Sequence, residues 1–226
     1  MNVYAWQVMA PGALALAIVT LSIVAAARRA EALAPVVLAL GLWLSVTFEL
    51  ARAGFFQRFD ALPPRVMVAA FTALLAALLS LRSAAGRRFV EGAPLAVIAG
   101  LQVFRVPVEM ALHALYTRGA IPVQMTWSGR NVDVFVGLSA PLVAYAFHRA
   151  WIGRRAFALW HLASLAALVN IVATSAMSFP GPMRRFHEGV SAAVVATAPF
   201  IWLPALLVPF AAASHIVSLR ALWRDR

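Results

Sequence analysis

The chain has no cysteine and no lysine among its 226 residues. Without cysteine there is no disulfide, no thiolate nucleophile, no cysteine-held cluster and no c-type haem attachment. Without lysine there is no Schiff base to retinal, which excludes an opsin even though the helix number derived below would suit one. Acids are scarce as well: Asp and Glu total 8 against 19 basic residues, all of them arginine, for a net charge of +11. The arginines cluster at the ends of apolar runs and do not form one stripe, which argues against nucleic acid as a partner. No glycine-rich phosphate loop, Gly-x-Ser-x-Gly elbow or His-Glu-x-x-His helix occurs.

What abounds is apolar surface. Hydrophobic residues make up 63% of the chain, where a soluble domain has about half. Seven apolar stretches, at 9–27, 34–56, 66–82, 92–117, 133–148, 156–179 and 193–219, approach the ~20 residues that a helix needs to cross a bilayer. The expected fold is therefore all-α: an integral membrane bundle of seven transmembrane helices whose first partner is the lipid bilayer. No linker, low-complexity tract or internal repeat divides residues 1–226, so they read as a single polytopic domain. The all-arginine basic composition suggests a GC-rich bacterial genome, hence the inner (plasma) membrane. The first stretch reads as a retained helix and not a secretory signal, because its arginines follow the apolar run.

With the N-terminus outside and the C-terminus cytoplasmic, the inward loops carry eleven arginines (28, 29, 82, 87, 88, 149, 154, 155, 220, 224 and 226). The outward loops then carry six (58, 65, 118, 130, 184 and 185). That asymmetry follows the positive-inside rule, and Tyr4, Trp6 and Trp127 outside with Trp151, Trp160 and Trp223 inside would form the two aromatic belts.

The fourth stretch carries the chemistry. Gln102, Arg105, Glu109, His113 and Tyr116 fall within an arc of roughly 80° at helical spacing. Charged groups at membrane depth are costly and by default mark a function or a buried ion pair. Pro107, inside this row, removes a donor and frees the carbonyl of Val103, which predicts a kink. Two more polar stripes lie toward the outer ends of helices running the same way: Ser45, Glu49 and Arg52 on the second, and Asn170, Thr174 and Ser178 on the sixth. Together they suggest one outward-facing polar site on the second, fourth and sixth helices. The loop before the fifth helix adds Trp127, Arg130, Asn131 and Asp133, either as a lid over a ligand or as an interfacial anchor with a helix cap.

Three functions follow from these residues. The favoured one is binding or transport of a small polar or anionic ligand, held by Arg105 and exchanging protons with Glu109 or His113. The second is a membrane enzyme on a lipid-phase substrate. In it Glu109 and His113, four apart, would offer two ligands to zinc or another divalent metal, completed by Glu49, Asp133, His187 or Glu188. The third is an accessory or scaffold protein whose Arg105–Glu109 and Glu49–Arg52 pairs are structural. A b-type haem would need His161 and His215 as facing ligands, and no cofactor is expected. A reporter fused after Arg226 is expected to be active on the cytoplasmic side; activity only in the periplasm would contradict this orientation.

Overall fold

The computed structural model describes residues 3–92, 94–187 and 189–224. Glu188, one of the metal-ligand candidates, lies outside them, as do Arg226 and the side chain of Arg224. Among the described residues the chain is helical throughout, with no strand. The helices are α1 (Trp6–Arg29), α2 (Leu33–Arg52), α3 (Arg65–Ser80), α4 (Ala84–Glu91), α5 (Leu95–Gly100), α6 (Arg105–Thr117), α7 (Asp133–His148), α8 (Arg154–Ala176) and α9 (Val208–Arg224).

Five spans are long and apolar enough to cross a membrane: α1, α2, the α5–α6 unit from Leu95 to Thr117, α8, and Leu203–Trp223. A sixth arises if α3 and α4, bent by 80°, count as one. The expectation of seven is met in part, the third stretch breaking at the α3–α4 bend and the fifth being short. At 16 residues, α7 is apolar but short, because the loop before it folds inward: Ile121, Met125 and Thr126 are all buried. The seventh stretch provides its span but starts later than 193: only a 3₁₀ turn forms at Ala193–Ala196, and continuous helix begins with a π turn at Leu203–Leu207.

Proline explains where the helices break and what fills the breaks. Pro107 has no N–H for the carbonyl of Val103, and the chain answers with a 3₁₀ turn over Leu101–Phe104 that joins α5 to α6. Pro209 likewise leaves the carbonyl of Ala205 without its helical donor. The indole Nε1 of Trp43 on α2 supplies one at 2.9 Å, and the Trp202 indole returns a bond to the Leu44 carbonyl at 3.1 Å. A proline break thus becomes a docking point between helices.

Three packing relations place the functional region. Helix α6 lies between α1 and α7, α7 also meets α8, and α8 packs on α9. On α8 the buried residues Phe157, His161, Ser164, Leu168 and Ile171 recur at spacings of four and three, which lays one face against α9. Gly137 on α7 sets the α6–α7 distance: a Cβ there would stand 2.8 Å from Val106 Cγ2 and 2.9 Å from the Val106 backbone nitrogen. Only glycine permits that approach. Outside these contacts, large side chains such as Leu14, Leu38, Leu42, Phe71, Leu142 and Leu159 are exposed, an apolar coat suited to lipid.

Candidate functional site

Arg105 opens α6 and is 2% exposed. A guanidinium has five donors and no acceptor, so burying it requires acceptors on neighbouring elements. Three helices provide them. Nη1 bonds Asp133 Oδ1 of α7 at 3.1 Å and reaches the Ser164 carbonyl of α8 at 3.5 Å, while Nη2 meets Nε2 of His215 on α9 at 3.3 Å. Asp133 stands one turn before Gly137 on α7, so the close α6–α7 approach brings its carboxylate within reach of Arg105.

Because Arg105 can only donate, His215 Nε2 must accept. In the neutral ring the proton of His215 is then on Nδ1, which donates to Nδ1 of His161 at 2.7 Å. The proton of His161 accordingly sits on Nε2, which has no partner among the described residues. The direction of the hydrogen bonds from α6 through α9 to α8 is fixed by the arginine alone. The two histidines thus face each other, but each is engaged with the other's nitrogen and not with a gap between them.

Glu109, one turn along α6, is 1% exposed. Its Oε1 accepts from Nδ2 of Asn131, which also donates to the Met125 carbonyl at 3.2 Å. Asn131 Oδ1 in turn accepts from the backbone N–H of Asp133 at 3.0 Å, a local turn contact just ahead of α7, whose N-cap position is Val132 and not Asn131. Arg105 pairs with Asp133 across helices and not with Glu109 on its own helix. The buried cluster therefore sets one guanidinium against two carboxyl groups.

The row Gln102–Tyr116 is also where polar atoms lack partners. Among the described residues, both amide atoms of Gln102, Nε of Arg105, Oε2 of Glu109 and Nδ1 of His113 are buried without a hydrogen bond. His113 lies flat on Trp127, ring centroids 4.2 Å apart and planes 12° apart, with Tyr116 at 6.0 Å. Trp127 thus covers the His113 end of the row.

The remaining candidates fall elsewhere. Glu49 and Arg52 pair with each other at 3.3 Å on the exposed flank of α2, with side chains 65% and 63% exposed, and take no part in the cluster. Thr174 is buried on α8, on the face that packs inward. Asn170 is half-buried and donates to the Arg130 carbonyl at 2.7 Å, while the Arg130 guanidinium lies over the Phe186 ring. The cluster is thus built from α6, α7, α8 and α9: the fourth and sixth apolar stretches contribute as expected, the fifth and seventh join them, and the second stays outside. His161, Ser164 and His215 were missed as members of it. Their sequence signal was the four–three register with Phe157 and Leu168 on α8, and the His215–Ser218 spacing on α9. No three His, Asp or Glu side chains converge among the described residues. His113 turns to Trp127, away from any third ligand.

An unpartnered buried amide costs about 1–3 kcal/mol. Gln102→Leu is therefore expected to raise the thermal midpoint of the detergent-solubilised protein. A lowered midpoint would mean that both amide atoms are satisfied in the folded protein. The chain matches no family model, no curated protein and no solved structure.

Proposed function

We propose that this multi-pass membrane protein moves or binds a small polar species along the face of α5–α6 that carries Gln102, Arg105, Glu109 and His113, with Glu109 exchanging a proton. In this reading all seven apolar stretches cross or enter the membrane as one domain, the N-terminus is outside, and the membrane is the bacterial inner membrane. The observation that carries it is the run of unpartnered buried donors and acceptors on a single helical face. A packing network satisfies its members; a row left open at successive turns suits a mobile polar guest or water. Arg105 spends its two Nη groups on Asp133, Ser164 and His215, and Glu109 leaves the cluster with more acid than base. This favours a proton or a neutral polar solute over the anion that Arg105 alone would suggest.

A structural role has one observation on its side: the Arg105 bonds tie four helices together. The two readings part at Glu109. In proteoliposomes loaded with pyranine, wild-type protein is expected to speed entry of protons under a valinomycin-set potential, or of urea or glycerol by light scattering. Glu109→Gln should return the rate to that of empty vesicles with the fold retained. Wild-type rates equal to empty vesicles in both assays, with Glu109→Gln altering only the thermal midpoint, would leave the structural role.

A further inference from the structure

A second site stands where α3 turns into α4 beside the end of α9. The turn is built tightly. Ser83 caps α4 by accepting from the Gly86 N–H at 3.0 Å. Gly86 has no room for a side chain, since a Cβ would lie 2.2 Å from the Ser80 carbonyl oxygen and 2.6 Å from Leu81 Cα. The 80° bend lays α4 across the direction of α3, with Val90 buried and Arg87 and Arg88 exposed. That division of faces marks a helix lying in a membrane interface. Arg154 holds the end of α9 in place through a 2.7 Å bond to the Leu222 carbonyl.

Between these elements is a cavity of about 560 Å³ lined by Leu81, Arg82, Arg87, Val90, Arg220 and Trp223. Its three arginines come from the bend, from α4 and from α9, and none has an ion-pair partner among the described residues. Of the acids nearby, Glu31 is committed to Arg88 at 2.9 Å, and Glu91, four residues after Arg87 on α4, forms no ion pair among the described residues. Arg87 donates to the backbone carbonyl of Arg82, which ties the Arg87 side chain to the bend. Leu81 and Val90 provide apolar wall, and Trp223, 53% exposed, is the amphipathic residue type found at headgroup depth.

We propose that this cavity binds the phosphate of an anionic phospholipid, with Arg82, Arg87 and Arg220 around the headgroup and Leu81, Val90 and Trp223 against the start of its acyl chains. Three guanidiniums without an ion pair among the described residues suit an anion. The apolar wall and the interfacial setting of α4 specify one that carries hydrocarbon, so a lipid headgroup fits better than a free ion. Each arginine at such a surface adds a separate electrostatic increment.

The test uses the full chain, delipidated in neutral detergent and titrated calorimetrically with dihexanoyl phosphatidylglycerol, dihexanoyl phosphatidylcholine and inorganic phosphate. The glycerol lipid is expected to bind, with affinity falling about fivefold for each of Arg82→Gln, Arg87→Gln and Arg220→Gln. Arg220→Lys should retain most of the affinity, and Arg149→Gln, outside the cavity, should change nothing. Equal affinity for phosphatidylcholine would overturn the charge argument. Equal affinity for inorganic phosphate would make this a free-anion site and overturn the lipid assignment. Unchanged binding in the Arg82 and Arg220 variants would remove the cavity from the account, and since both side chains are exposed, neither variant threatens the fold.

Discussion

The Arg105 guanidinium is the constraint around which the bundle is arranged. A charge taken out of water must be met by hydrogen bonds and an opposite charge, at a desolvation cost of several kcal/mol. Here the compensation comes from three different helices, so satisfying one side chain fixes the mutual placement of α6, α7, α8 and α9. The demand propagates outward. It requires the glycine at 137 that lets α7 come close, and it makes His215 an acceptor, which in turn orders the His161 ring. Detergent or lipid cannot supply these bonds, because hydrocarbon has no acceptors.

The same helical face holds a second class of polar atom, with the opposite energetic sign. The Nη end of Arg105 is satisfied, whereas its Nε, the Gln102 amide and one Glu109 oxygen are buried without partners among the described residues. Satisfied and open atoms therefore sit side by side on the same residues, Arg105 and Glu109. The satisfied contacts hold the bundle, and the open ones are what a proton or small polar guest would engage. The 3₁₀ turn forced by Pro107 lies in the middle of this face, so the backbone is least regular where the open atoms gather.

Much of this was legible in the residues. The apolar runs mark the helices because hydrocarbon surroundings admit little else, and a charged row at membrane depth is conspicuous because it is expensive. The row from Gln102 to Tyr116 and its association with Asn131, Asp133 and Trp127 were readable for that reason. The partner of Arg105 was not. Spacing offers Glu109 at i+4, and only tertiary approach through Gly137 shows that Asp133 wins. Glu49 and Arg52 mislead in the same way: their spacing matches the row, but α2 presents them on an exposed flank, and helical periodicity carries no information about which helices are neighbours. His161 and His215 were visible as buried-face residues, but their meeting with Arg105 depends on the packing of α8 on α9. In the last helix, Pro209 leaves the Ala205 carbonyl open, and only the packed structure shows that Trp43 fills it.

The most direct test of the arginine-centred account is a double-mutant cycle on Arg105 and Asp133, read as unfolding free energy in mixed micelles. Asp133→Leu leaves the guanidinium buried without its counter-charge and is expected to cost about 3–5 kcal/mol. Arg105→Met strands the carboxylate at a similar cost. The double variant should lose far less than the two costs combined, because neither charge is then left buried alone. Simple additivity of the two single losses would mean that the pair does not interact in the folded bundle, and the arrangement of α6 to α9 around Arg105 would be wrong.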